Sequence, residues 1–215
     1  LGYICGWCLT LDYVLNPLIC TIWSSKSAGA FIPAVPYAAW VVFFALLFTM
    51  LNLAGVETSA RINAVLTALL GLVIVLFLSA AVRWILHGHM VSGAQWLMPF
   101  FDRRSFDPGA ILHGTSIAVL TYIGFDGIST LADEAKEPRR DIPRAIVLTC
   151  VVAGVLAAVE VYAVQIVLPR GTLFPNVETA YPEVGRLIGG WLLFSIVNGA
   201  LLLATVGSGM ASQMG

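Results

Sequence analysis

Three carboxylic acids stand in apolar surroundings, Asp12, Asp126 and Glu160, and no lysine or arginine shares the interior of their segments. An ionisable group at membrane depth costs about 2.5–3.5 kcal/mol on insertion scales. A carboxyl group in low dielectric keeps its proton unless something positive comes near it. The three are therefore either neutral and hydrogen-bonded, or they serve a visiting cation or proton. Asp126 has the most telling surroundings, because Thr121-Tyr-Ile-Gly-Phe-Asp-Gly-Ile-Ser-Thr130 places it between Gly124 and Gly127. Glycine inside a helix costs roughly 1 kcal/mol relative to alanine. Broken backbone is tolerated at membrane depth only where protein buries it or a wet cavity is lined by it, and discontinuous helices of that kind form substrate sites in transporters. The stretch predicts a helix interrupted between about Ile123 and Gly127; a kinked span whose acid is satisfied by a neighbour is the plainer reading. Asp12, followed by Tyr13, could equally bond between helices.

Other chemistry finds less support. A serine hydrolase needs a nucleophile with a histidine in reach, and Gly207-Ser208-Gly209 lacks the wider G-x-S-x-G frame. His87, His89 and His113 fall in or near one loop, which gives the enzyme reading no base and a metal reading only a weak pair. Cys5 and Cys8 have the C-x-x-C spacing, but without a second pair or nearby histidines they fit helix packing better. No cofactor and no metal are expected.

The elements that must position the acids follow from composition. Hydrophobic residues make up 59% of the 215 and charged residues 11%, with mean hydropathy +0.91, against about 25% charged in soluble domains. The chain reads as an all-α integral membrane protein, and a net charge of −1 gives no sign of nucleic-acid binding. At about 20 apolar residues per crossing, six spans fit, at approximately 1–23, 37–53, 60–86, 108–132, 142–168 and 191–215. Ser24 to Pro36 reads as a loop rich in Ser, Ala, Gly and Pro. Asp107-Pro108 is a helix start, with an acid at the cap and proline at the first helical position. Asp141 is expected to cap the fifth span, and Glu178 to Ile188 could form a short surface helix before the sixth. Leu1 is not an initiator methionine and both ends are cut within apolar sequence, so the chain reads as an internal fragment of a single membrane domain.

Loops must alternate sides. Placing Arg61, Lys136, Arg139, Arg140 and Arg144 inside leaves Lys26, Arg83, Arg103, Arg104, Arg170 and Arg186 outside, five against six. The five occupy two short connections and the six are spread over three longer ones. Short loops carry the orientation signal, so the 133–144 loop is expected to be cytoplasmic in a plasma (inner) membrane protein.

Tyr122-Ile-Gly-Phe-Asp126, followed by Leu131-Ala-Asp-Glu-Ala-Lys-Glu-Pro-Arg-Arg-Asp-Ile-Pro-Arg144, resembles the sixth helix and following cytoplasmic loop of the amino acid-polyamine-organocation (APC) transporters. Gly6-Trp7 with Leu11-Asp12-Tyr13 resembles their third helix, and Phe174 with Glu178-Thr-Ala180 the loop before their eighth. The similarity is greatest to bacterial amino acid permeases that include putrescine importers. It implies a twelve-helix protein with an inverted five-helix repeat, of which this chain is helices three to eight, and a secondary transporter around the break. It also implies that the substrate's amino group is held by carbonyls of Leu120, Thr121 and Ile123 beside Gly124, with Phe125 as an aromatic gate. Asp126 and Asp12 match positions where relatives with cationic substrates place acids. Glu160 departs from the resemblance, standing where a neutral polar residue is expected, and could carry a proton, partner a polar neighbour or line a wet vestibule. The fifth-helix lysine of some proton-coupled members has no counterpart in Ala68-Leu-Leu-Gly-Leu72. The implied partners are an amino acid or polyamine, a coupling ion that is expected to be a proton, and lipid. A channel or structural membrane subunit is the alternative function.

The orientation can be tested directly. A cysteine placed at Glu137 in the Cys-free full-length protein is expected to react with an impermeant maleimide only from the cytoplasmic side; labelling in intact cells reverses the assignment.

Overall fold

A computed structural model describes residues 2–53, 60–87, 96–101, 106–122, 124, 128, 135–168, 174 and 176–214. Among these residues all regular structure is helical. Among the described residues the longer α-helices run in this order: α1 (Gly2–Phe31), α2 (Tyr37–Leu53), α3 (Ala60–Leu86), α4 (Pro108–Ala118), α5 (Pro138–Val167) and α6 (Ala180–Met214), with 3₁₀ turns at Val119–Tyr122 and Val177–Thr179. Four of the helices carry stretches long and apolar enough to cross a membrane, in α1, α3, α5 and α6, and α2 is a shorter apolar helix of 17 residues. The chain divides into two compact units, Leu1–Gly88 with Arg170–Gly215, and His89–Pro169.

The first unit is built on an antiparallel pairing of α1 with α6, held by polar contacts. Asn16 Nδ2 donates to Ser208 Oγ at 3.5 Å, the hydroxyls of Ser24 and Thr205 share a bond of 2.9 Å, and Ser27 and Asn198 bond reciprocally. In that last pair the Ser27 hydroxyl donates to Asn198 Oδ1 at 2.7 Å, and Asn198 Nδ2 donates to the Ser27 carbonyl at 2.9 Å. Residues 16, 20, 24 and 27 recur at three- and four-residue steps, so they form one stripe along the helix. Ser24, Ser25, Ser27 and Asn198 are essentially inaccessible. Small residues that let backbones approach, with hydroxyls and amides as cross-links, are how helices adhere where apolar burial drives nothing. Beside the seam Cys20, Ala28, Phe44 and Phe48 form a core with Leu202, Val206 and Met210 against them, which seats α2 on the α1–α6 pair.

This seam corrects the expectation of a loop from Ser24. The helix does not stop at Trp23; it runs eight residues further, to Phe31. Serines look like loop residues by propensity, but here Ser25 Oγ donates to the Thr21 carbonyl at 2.6 Å while Ser24 and Ser27 have partners on α6. Once every hydroxyl is satisfied the helix keeps its hydrogen bonds. Pro17 within α1 removes one backbone donor, and the Thr21 hydroxyl bonds the Pro17 carbonyl at 2.7 Å.

At the other end of this pairing α6 turns sharply. Gly190 has φ 69° and ψ −164°, a left-handed conformation that an L side chain resists. The 180–189 segment therefore folds back on the part of α6 that begins at Trp191. A β-carbon at Gly185 would sit 3.6 Å from Leu193 and Val197, and Val184, Phe194 and Val197 are buried there. Phe77 of α3 is buried and its ring lies 4.3 Å from that of Tyr181.

The second unit holds α4, α5 and the 96–101 segment. Asp107 caps α4, its Oδ1 accepting from the Gly109 amide at 2.9 Å, with Pro108 at the first position. α5 begins at Pro138, four residues before the expected 142, because Glu137 is the cap residue and the Asp141 carboxylate accepts from the Glu137 amide at 3.3 Å from inside the first turn. Asp141 thus stabilises the helix start without being its cap. Tyr162 of α5 donates to the Trp96 carbonyl at 3.1 Å and stacks near Phe100, which fastens the 96–101 segment to it.

Close approach at Gly209 can be checked by mutation. A β-carbon there would lie 2.9 Å from Phe48 Cε2 and 3.1 Å from Cys20 Cβ. Gly209→Val is expected to destabilise the full-length protein in detergent by about 1–3 kcal/mol, as overpacking does. Phe48→Leu in the same background should recover part of that, and a double-mutant cycle on the unfolding midpoint reads the coupling.

Candidate functional site

The α-helical backbone of α4 ends at Ala118, ahead of Gly124. After Ala118 the α-helix tightens into the 3₁₀ turn Val119–Tyr122, with the Val119 amide bonding back to the Thr115 and Ile117 carbonyls. Gly124 then takes φ 92°. That angle is open to glycine and strained for other residues, so the chain leaves the helical path there. The α-helix itself ends at Ala118, and the expected end of this span near 132 lies outside the described residues.

A helix end is chemically active because its last carbonyls have no intrahelical donors and its dipole places partial negative charge there. Leu120 and Thr121 lie in this last turn, with Thr121 exposed. The turn is held by α5: a β-carbon at Gly154 would overlap the Tyr122 hydroxyl. Gly154 is thus the position on α5 that lets Tyr122 pack, and Tyr122 anchors the turn carrying Leu120 and Thr121. Sequence reasoning did not single out Gly154, since a lone glycine in an apolar helix carries no pattern of its own.

Of the other anticipated site residues, Ile123, Phe125 and Asp126 lie outside the described residues. Asp12 is half-buried on α1, in the first unit, and Glu160 is half-buried on α5, in the second. The structure brings Leu120, Thr121 and Gly124 together by chain connectivity, and it describes Asp12 and Glu160 each within its own unit. His89, of the histidine pair, also falls outside the described residues. Among those described, no group of three His, Cys, Asp or Glu residues could hold a metal ion.

A broken apolar helix in a chain of this composition is now joined by comparison with known proteins. The family profile described as amino acid permease matches residues 1–215. The chain belongs to the amino acid permease family. It is 30% identical over 219 residues to the low-affinity putrescine importer PlaP of Escherichia coli (strain K12), covering 100% of this chain and 47% of that protein. The branched-chain amino acid permease BcaP of Bacillus subtilis (strain 168) is 27% identical over 178 residues, 73% of this chain and 36% of that protein. The vacuolar cationic amino acid transporter 4 of Arabidopsis thaliana is 22% identical over 237 residues, 98% and 38% respectively. The chain spans less than half the length of these relatives. Membership agrees with the expected APC resemblance and with an all-α membrane protein, and the names of these relatives are those of transporters and not of enzymes.

The packing of Tyr122 gives a prediction. Gly154→Ala in the full-length permease should expose the 115–122 backbone to faster hydrogen–deuterium exchange, by about tenfold for a cost near 1.4 kcal/mol. Because the hydroxyl is what a β-carbon would strike, Tyr122→Phe added to Gly154→Ala should return exchange toward wild type.

Proposed function

We propose that the chain carries part of the substrate site of a secondary active transporter for amino acids or polyamines, with alternating access around the interruption at 123–127. The observation that carries this reading is the end of α4: an apolar helix that stops at Ala118, tightens to Tyr122 and turns at Gly124 with φ 92°. In a chain matched along its whole length by the amino acid permease profile, that end is the natural place for a substrate ammonium.

The chemistry follows from the end of the helix. Carbonyls of Leu120, Thr121 and Ile123 accept hydrogen bonds from an ammonium group, which the C-terminal partial charge also favours. Gly124 gives the backbone its turn, and Phe125 closes over the bound molecule. Asp126 pairs with the far, cationic end of the substrate. Glu160 takes up and releases the coupling proton as access alternates. The protein sits in the plasma (inner) membrane with the 133–144 loop in the cytoplasm.

A cationic substrate is supported by two of the relatives, named for putrescine and for cationic amino acids, while BcaP is named for branched-chain amino acids. The charge of Asp126 separates these classes. Asp126→Asn keeps the shape and removes the charge. Truncating a buried charge-paired group typically costs 2–5 kcal/mol, about thirtyfold to several thousandfold in affinity. In the full-length protein Asp126→Asn is expected to abolish uptake of a diamine or basic amino acid at micromolar concentration, with membrane abundance near wild type. Equal uptake by mutant and wild type removes Asp126 from the site. Selective uptake of neutral amino acids by wild type moves the protein to the neutral branch of the family.

A further inference from the structure

The first unit contains a cavity of about 480 Å³ that the permease reading does not use. Its walls come from the last turns of α1, the Pro33–Tyr37 corner and the hairpin around Gly190. The volume lies within the range of about 300–1,000 Å³ usual for small-molecule sites.

The charge of its lining is unequal. Lys26, Arg186 and Glu183 are the ionised groups. Glu183 is matched by Arg186 at 3.8 Å, a loose pair between exposed side chains. Lys26 has neutral partners among the described residues: its Nζ donates to Asn176 Oδ1 at 3.2 Å and lies 5.0 Å from the centre of the Tyr37 ring. One positive charge is left over, and Lys26 and Arg186 both line the cavity. The apolar part is equally defined. Trp191 and Phe194 are stacked at 4.8 Å, the Arg186 guanidinium lies 5.8 Å from the centre of the Trp191 ring, and Phe31 abuts Phe194 edge-on at 6.1 Å. Gly190 is what brings Arg186 and Trp191 to one place, since its φ of 69° folds the 180–189 helix back.

We propose that this cavity binds a small monocarboxylate with an apolar body, its carboxylate between Lys26 and Arg186 and its body against the exposed Trp191 ring, which stacks on the buried Phe194. A guanidinium takes a carboxylate by paired hydrogen bonds and an ammonium takes it as a point charge. A diamine finds two like charges and one acid already engaged. The same anion chemistry is offered by a phospholipid headgroup, whose phosphate a basic pocket among membrane helices also attracts. The surplus charge and aromatic walls belong to the first unit alone, so the site does not depend on the helix break.

The test uses full-length protein in nanodiscs of phosphatidylcholine, with 4-fluorophenylacetate followed by ¹⁹F saturation-transfer NMR and 4-fluorophenethylamine as the probe of opposite charge. The acid should bind and the amine should bind at least about tenfold more weakly. Lys26→Gln with Arg186→Gln should weaken the acid at least about tenfold, the range of a lost charge contact. Lys26→Arg with Arg186→Lys keeps both charges and should retain binding, which separates loss of charge from loss of fold. Asp126→Asn should leave the acid's signal unchanged even where it stops uptake, so failure here and failure of the transport reading are told apart. Equal binding of the amine, undiminished binding to the Gln variant, or loss of binding in Asp126→Asn overturns the proposal. Displacement of the acid when a fifth of the lipid is phosphatidylglycerol overturns the carboxylate in favour of a lipid phosphate.

Discussion

Hydrocarbon offers a backbone or side-chain polar group no water to fall back on, and an unsatisfied group there costs several kcal/mol. This constraint decides both halves of the molecule. In the first unit it is met by pairing. Ser27 and Asn198 each give and receive, so two buried polar side chains and one backbone carbonyl are settled at once. With Ser24–Thr205 and Asn16–Ser208 they form a ladder of polar contacts along one face of α1. Interhelical bonds of this kind average about 0.6 kcal/mol each in membranes, so no one of them holds α1 to α6. Their joint effect is on register: sliding one helix along the other would strand several partners together.

The second unit meets the same constraint differently. α4 gives up its hydrogen bonding after Ala118, but the 3₁₀ turn returns the Val119 amide to carbonyls behind it, and α5 receives Tyr122 at Gly154. A break can persist only where neighbours over-determine it. Glycine therefore appears twice for different reasons, at Gly124 for its positive φ and at Gly154 for its lack of a side chain.

The helical class, the membrane character and the family were legible in the sequence, because composition, apolar run length and the 122–144 pattern are local. A departure from the helical path at Gly124 was legible too, since a glycine beside an acid in an apolar span has few other uses. The Ser24–Phe31 extension of α1 was not. Its serines read as a loop because the partner that makes them helical, Asn198, stands 171 positions away. Gly154 was hidden for a similar reason: its role is defined by Tyr122, and neither residue is distinctive without the other. Asp12 and Glu160 could be marked as costly from sequence, but the cost alone does not say which group satisfies each.

The same distinction explains why the cavity near Gly190 escaped a reading by motif. Lys26 and Arg186 are ordinary loop cations when counted for membrane orientation. They become a pair only because α1 continues through the serines and Gly190 turns the 180–189 helix back. The ladder that fixes the register of α1 against α6 ends at Ser27 and Asn198, beside Lys26 on one helix and just beyond Phe194 on the other. The polar contacts thus set where the cavity's charge stands relative to its aromatic wall. A slip of α1 along α6 by one helical turn, about 5.4 Å, would carry Lys26 away from Asn176 and Tyr37 while stranding Ser27. The cost of an unsatisfied polar group away from water thereby fixes the position of the Lys26 charge.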